Sequence, residues 1–166
     1  MEILGYKCFN SDLTNNYGVK FEVGKKYKTS GQIRFGTMGN GFHMCKRLED
    51  TLRYFDAIKK EVSICEVKGS GTVVESFDEY YGYYNIYSVE ELEIIRELTR
   101  EEIINMAIKF YQERAIRFIS GFKLKEDEIL LFKQYFKNNS RVISFIEYYQ
   151  EGNLDAFKEK TKKLKK

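Results

Sequence analysis

The sequence predicts an α+β fold in which small, twisted, mainly antiparallel sheets with one helix are followed by a carboxyl-terminal helical segment. Ten of the 12 glycines precede residue 98, and glycine favours turns and short strand connections. After that residue, apolar side chains recur at helical spacing. We therefore divide the chain into a mixed α+β domain over residues 1–98 and a helical segment over residues 99–166 that packs on it.

Several short segments of the first domain have strand character. They lie at Ile3–Phe9, Phe21–Tyr27, Gln32–Phe35, Val62–Val67 and Val89–Ile95. Turns are predicted at residues 24–26 and 69–71, where glycine occurs. Leu48, Leu52 and Phe55 recur at helical spacing and predict one helix over Lys46–Ile58.

The second part opens with a capping-box pattern, in which Thr99 and Glu102 satisfy each other's free amides. This pattern predicts a long helix that ends at Gly121, since glycine is a common helix stop. Shorter helices are predicted over Glu126–Lys137 and Ser140–Gln150, and Asn153 is a candidate cap for a final one. Their aromatic stripes are typical of a bundle core.

Composition indicates a soluble, cytoplasmic protein that does not enter a membrane. Of the 166 residues, 43% are hydrophobic, yet no apolar run is long enough for a membrane span and no signal peptide is evident. The odd number of widely spaced cysteines, Cys8, Cys45 and Cys65, favours reduced thiols. The lysine-rich end lacks interleaved aromatic residues, so we do not expect nucleic-acid binding.

The only histidine, His43, lies in a glycine-rich stretch with Gly41, Phe42 and Cys45. Histidine titrates near neutral pH, so this position is a candidate site. The glycine spacing matches neither a dinucleotide fingerprint nor a P-loop. No Cys-x-x-Cys pair supports a zinc site, and we expect no metal. Cys45 is too close to His43 along the chain for the two to serve as nucleophile and base.

Acid–base chemistry by the histidine stays open, with Glu66, Glu91 and Glu93 as carboxylate partners on predicted strands. A second candidate surface is the tyrosine cluster over residues 80–87. Tyrosine has an apolar ring and a polar tip, which suits a pocket rim. We take three of its members, Tyr81, Tyr83 and Tyr84, as candidate ligand-binding residues.

The order of short motifs along residues 5–98 resembles a family of small uncharacterised bacterial and phage proteins with a Gly-Phe-His-x-Cys signature. The motifs are Tyr6 to Phe9, Gly24 to Tyr27, Gly41 to Cys45, Tyr54-Phe55 and Glu66 to Gly69. The resemblance implies a phage or mobile-element context, and no assigned chemistry comes with it.

A second, weaker pattern is similar to ADP-ribosyltransferase-like domains. In that comparison Tyr6 or Lys7 takes the place of the first-strand residue that grips a nicotinamide dinucleotide, Phe42 with His43 shapes the pocket, and Glu91 takes the place of the late glutamate. The chain departs from the pattern at Lys7, where the family has His or Arg, and it lacks a Ser-Thr-Ser run.

Together these observations favour a small binding module that needs no cofactor and holds a nucleotide-like ligand or a host protein. The phage resemblance suggests a host-defence antagonist. Tyr6, Lys7, Phe42 and His43 are the candidate ligand-binding residues beside the tyrosine cluster. The alternative is an ADP-ribosyltransferase-like enzyme that uses NAD, with His43 and Glu91 as catalytic candidates. The sequence does not decide between binding and catalysis.

Overall fold

The chain folds into two compact units, each described here by itself. The computed structural model describes residues 1–35, 39–76, 85–152 and 162. The units are Met1–Phe55 with Glu61–Leu98, and Asp56–Lys60 with Thr99–Lys166. The first contains a β-sheet and the second contains α-helices, so the predicted α+β class is confirmed. Among the described residues, no helix has the length and apolar character needed to cross a membrane.

The first unit is an antiparallel sheet that closes on itself. Its elements are β1 (Ile3–Asn10), β2 (Lys26–Lys28), β3 (Phe42–Cys45), a 3₁₀ helix (Leu48–Tyr54), β4 (Val62–Glu75) and β5 (Ile86–Glu97). The strand order is β2-β5-β3-β1-β4, and β4 also pairs with β5. Four strands, β5, β3, β1 and β4, therefore form a closed ring, with β2 beside β5.

Alternation along the strands places the core inside this ring. On β5, Leu92 and Ile94 are fully buried, whereas Glu91 and Glu93, which alternate with them, are only partly buried. The remaining inward side chains come from each strand and from the loop after β1. The buried cluster contains Phe9, Phe21, Met44, Cys65, Val67, Tyr87, Val89, Leu92 and Ile94.

Two predicted strands of the first unit are shorter than expected. The segment predicted over Phe21–Tyr27 forms a strand only at Lys26–Lys28, because Phe21 leaves the ladder to enter the core. The segment predicted over Gln32–Phe35 contributes a single parallel bridge, between Ile33 and Asn40. Non-local packing decides both cases, and propensity alone does not reveal it.

Two further elements differ from the prediction. The helix predicted over Lys46–Ile58 is a 3₁₀ helix at Leu48–Tyr54 that packs against β1 and β3, and Arg47 gives it no side-chain cap. The turn predicted at residues 69–71 lies inside β4. There the pairing with β5 shifts register between Ser70 and Val73 without ending the strand.

The second unit contains four described helices. They are α1 (Arg100–Ala107), α2 (Gln112–Gly121), α3 (Glu126–Tyr135) and α4 (Ser140–Tyr149). The predicted cap is confirmed, since the Thr99 hydroxyl accepts from the amide of Glu102. The single long helix predicted to reach Gly121 is wrong, because the backbone at Tyr111 is extended and starts α2 anew.

The helical unit is held by a stacked aromatic core and by a buried amide. The ring centroids of Phe118 and Phe132 lie 5.9 Å apart, and those of Phe118 and Phe122 lie 4.9 Å apart. The Gln150 side chain accepts from the Leu124 amide and donates to two backbone carbonyls. The proposed cap at Asn153 lies outside the described residues.

Candidate functional site

Strand β1 is paired along its whole length on one side and at one point on the other. Its partner β4 matches it over eight consecutive residue pairs, whereas the register with β3 contains only Tyr6 and Cys45. Gly5 permits this one close approach, since a Cβ there would lie 2.3 Å from the Cys45 carbonyl oxygen. Beyond it, β1 and β3 do not continue the ladder.

A cavity of about 650 Å³ lies where these strands separate. We call it the seam cavity. Its volume is in the usual range for a small-molecule pocket. The described residues that line it are Tyr6, Lys7, Cys8, Asn15, Asn16, Tyr17, Val19, Phe21, Gly39, Gly41, Phe42, His43, Met44, Cys45, Thr51, Tyr54 and Phe55.

Lys7 crosses the gap between the two strands. Its Nζ donates a hydrogen bond of 2.5 Å to the backbone carbonyl of His43 and lies 5.8 Å from the centre of the Phe9 ring. No described residue forms an ion pair with it, and none of the lining residues is an aspartate or glutamate. Burial without a carboxylate partner lowers the pKa of Lys7 from 10.5 to about 8.

The His43 imidazole lies among aromatic rings at the same cavity. The ring centroids of Phe35 and Tyr54 are 5.1 Å and 6.4 Å from it. Burial lowers the pKa of His43, and the positive charge of Lys7 lowers it further. The imidazole forms no hydrogen bond with a described residue, so its nitrogen atoms are available to a ligand.

The rim of the cavity is built by the loop after β1. The Asn15 side chain accepts from the amides of Tyr17 and Val19, both at 2.9 Å, and so fixes a tight turn. This turn leaves Tyr17 at 92% exposure. Asn16 donates to the carbonyl of Tyr54 at 2.9 Å and ties the loop to the end of the 3₁₀ helix.

The glycine-rich stretch before β3 has a packing role. Gly41 has φ +129°, and a Cβ there would lie 2.2 Å from the Ser88 hydroxyl. The Asn40 amide and carbonyl bond to the backbone of Gln32 and Arg34. The backbone N–H and C=O groups of Asn40 are therefore already used within the protein.

Of the two cysteines that line the cavity, Cys8 and Cys45, the second is a poor nucleophile. The pKa of Cys45 is raised to about 12, mainly by burial and in second place by the nearby Asp50 carboxylate. The thiol therefore stays protonated at neutral pH. All three cysteines are free and buried. Within the described ranges, no group of three or more His, Cys, Asp and Glu side chains is arranged to hold a metal ion.

The three glutamates considered as partners of the histidine lie elsewhere. Glu66 is bonded to Arg96 at 2.9 Å, and Glu93 to Lys68 at 3.2 Å. Glu91 bonds to Lys26 at 3.1 Å and to the Ser70 hydroxyl, and these contacts lower its pKa. None of the three lines the seam cavity. The structure therefore does not bring Glu91 to His43.

Four of the predicted ligand-binding residues, Tyr6, Lys7, Phe42 and His43, do line one cavity. The other three, Tyr81, Tyr83 and Tyr84, lie outside the described residues. Sequence reasoning about the site missed the rim loop and the wall formed by Tyr54. The signal for Tyr54 was available, because the motif order had already marked Tyr54-Phe55.

Fold and cavity together define a class of small α+β protein whose antiparallel sheet closes on itself except at one seam. The chain belongs to the family described as Domain of unknown function (DUF7666), which it matches over residues 3–106. The prediction of an uncharacterised family is thus confirmed, while the Gly-Phe-His-x-Cys signature and the ADP-ribosyltransferase likeness gain no support. Comparisons with curated proteins and with solved structures give no match.

Proposed function

We propose that this chain is a binding module whose ligand occupies the seam cavity, and that the ligand is nucleotide-like, with a flat ring and an anionic group. The observation that carries the proposal is the Lys7 amine. It lies in a concave, largely aromatic cavity and has no described carboxylate partner. A cation that is only partly solvated and is not neutralised by the protein favours an anionic ligand.

The walls of the cavity support the ring of such a ligand. Aromatic side chains line it from β1, from β3 and from the end of the 3₁₀ helix, as Tyr6, Phe42 and Tyr54, and Tyr17 lies exposed at the rim. Flat rings stack on such surfaces at roughly 1–3 kcal/mol each. The Asn15 and Asn16 side chains at the rim are already committed to the turn and to Tyr54, so we assign the walls a stacking role.

Titration of the full chain with AMP tests the proposal. The C2 proton of the only histidine gives a single NMR signal that reports on the cavity. We expect this signal to shift on addition of AMP, and we expect Tyr54→Ala to weaken binding about ten-fold through lost stacking. Tyr111→Ala is the matched control, since Tyr111 is 59% exposed and does not line the cavity.

The proposal fails if the His43 signal does not respond to AMP. It also fails if Tyr54→Ala and Tyr111→Ala bind AMP equally well. Thermal unfolding of each variant must accompany the titrations, because a variant that unfolds reports on stability and not on recognition. A shift in wild type that disappears only in Tyr54→Ala supports the proposal.

A host protein, and with it a role as a host-defence antagonist, stays a prediction of the sequence. The transferase alternative requires a carboxylate at the nicotinamide ribose, and the described residues of the cavity include none. Incubation with labelled NAD tests that alternative directly. Release of nicotinamide by the wild-type chain, and its loss in Glu91→Gln, would favour the enzyme over the binding module.

A further inference from the structure

We infer that the anionic part of the ligand is one compact group, a carboxylate or a monophosphate, held by Lys7, and that polyphosphates and dinucleotides are disfavoured. This inference rests on the proposed function and specifies its ligand class. It follows from the number of hydrogen-bond donors left on the amine, from the charges present around the cavity and from the repulsion between Lys7 and His43.

The first observation is the number of donors left on the amine. A lysine ammonium has three N–H donors. One of them bonds to the carbonyl of His43, and Lys7 makes no other hydrogen bond with a described residue. Two donors therefore remain, enough for the two oxygens of one carboxylate or for two oxygens of one phosphate.

The second observation is the charge inventory of the lining. Among the described residues that line it, Lys7 and His43 are the only ones that can carry a positive charge, and none is an arginine. Sites that hold two or three phosphates use several cations, a metal ion or backbone amides in a loop, and here the Asn40 amide is already bonded.

The third observation is mutual repulsion between the two basic groups. The positive charge of Lys7 disfavours protonation of His43. At neutral pH without ligand, the described residues that line the cavity thus carry about one positive charge. A single anionic group balances this charge, whereas a polyphosphate would bring excess negative charge into a largely aromatic cavity.

The test is a ligand series followed through the His43 C2 proton signal at constant ionic strength and pH 7. Adenosine, AMP, ADP and ATP share one ring and differ in charge. Benzoate and phenyl phosphate share a smaller ring and separate the carboxylate source from the phosphate source. Lys7→Met keeps the side-chain length without the charge, and Lys28→Met is the control, because the Lys28 side chain is 69% exposed on β2.

We expect AMP to bind at least ten-fold more tightly than adenosine, and ADP and ATP to bind no more tightly than AMP. Lys7→Met should reduce AMP binding to the level of adenosine, and Lys28→Met should leave the series unchanged. ATP binding ten-fold more tightly than AMP would overturn the inference and leave the binding module intact. If AMP does not move the signal, the proposed function fails, and the inference fails with it.

Discussion

The two edges of β1 differ in how far they are paired. We expect one edge to matter mainly for stability and the other mainly for ligand binding. Toward β4 the strand has eight consecutive partners, and toward β3 it has one. One edge continues the sheet into β4, and the cavity lies where the other edge separates from β3. Phe21 and Met44 belong both to the core cluster and to the lining of the cavity. The same strand thus contributes Phe9 to the core and Lys7 to the candidate site, two residues apart.

One short strand contributes both to the packed core and to the candidate site because its ladder with β3 contains a single residue pair. Side chains on one face of β1 meet either a fully packed core or the gap, depending on how far the partner strand follows. Lys7 is the residue at this transition. Its amine contacts the β3 backbone at His43, where a continued ladder would have placed main-chain hydrogen bonds.

The largest loss in the free energy of unfolding should come from a substitution in the hydrophobic core. Phe9 is fully buried, and its ring lies 5.2 Å from that of Phe21. We expect Phe9→Ala to lower the free energy of unfolding by about 3–5 kcal/mol, through lost burial and a cavity. Tyr54→Ala, at the wall of the seam cavity, should cost less than about 1 kcal/mol. Urea denaturation measures the free energy of unfolding of both variants. Equal losses in the two would contradict the distinction between the core and the cavity wall.

A smaller loss should come from the single contact that joins β1 to β3. Alanine at Gly5 would place its methyl group against the Cys45 carbonyl and would push the two strands apart. We expect Gly5→Ala to lower the free energy of unfolding by roughly 2–3 kcal/mol. Gly18→Ala is a control for the loop, since no atom lies near its added methyl group and only its φ of +80° opposes the change. A Gly5→Ala variant as stable as wild type would show that the strands do not meet there.

The positive charge of the Lys7 amine, between β1 and β3, should lower the free energy of unfolding at neutral pH. Because burial lowers the pKa of Lys7 from 10.5 to about 8, the unfolded chain binds more protons than the folded chain between these values. The free energy of unfolding therefore rises with pH across that window, and the protonated amine is destabilising below it. We expect Lys7→Met to be more stable than wild type by about 1–2 kcal/mol at pH 7, with less advantage at pH 10.

Denaturation at both pH values measures this prediction. Lys28→Met is again the reference, because its exposed side chain should give no pH-dependent difference from wild type. An advantage of Lys7→Met that is the same at pH 7 and pH 10 would mean that packing, and not the charge, causes the gain.

The smallest effect concerns the histidine. Burial and the Lys7 charge both lower the pKa of His43 below its usual value. Removing the amine in Lys7→Met should raise that pKa, since the repulsion is lost while the burial stays. Titration of the histidine C2 proton by NMR gives the value in both proteins. An unchanged pKa of His43 would show that the Lys7 amine is too far from the imidazole to influence its protonation.

The parts of this fold that local pattern controls could be predicted from the sequence. The strand predicted over Val89–Ile95 lies within β5, and Thr99 identified the start of α1. The break at Tyr111 and the withdrawal of Phe21 from a strand depend on contacts distant in sequence, and periodicity does not report them.

For the candidate site, motif order identified Lys7 and His43, and it also gave Glu91 a role. What the sequence did not contain was the register of β1 with β3. That register brings His43 and Lys7 to one cavity, whereas the pairing of β2 with β5 places Glu91 beside Lys26. Strand pairing is a property of the whole sheet. The sequence therefore identified candidate site residues, but it did not show which of them lie close together in space.

The hydrogen bond from Lys7 to the His43 carbonyl links ligand binding to proton uptake. An anion that contacts the amine favours its protonated form and should raise its pKa above the present value of about 8. Binding above that pH then draws a proton from solution, and the buffer must supply it. Calorimetric heats of AMP binding at pH 8.5 should therefore differ between Tris and HEPES buffers, and that difference should disappear in Lys7→Met.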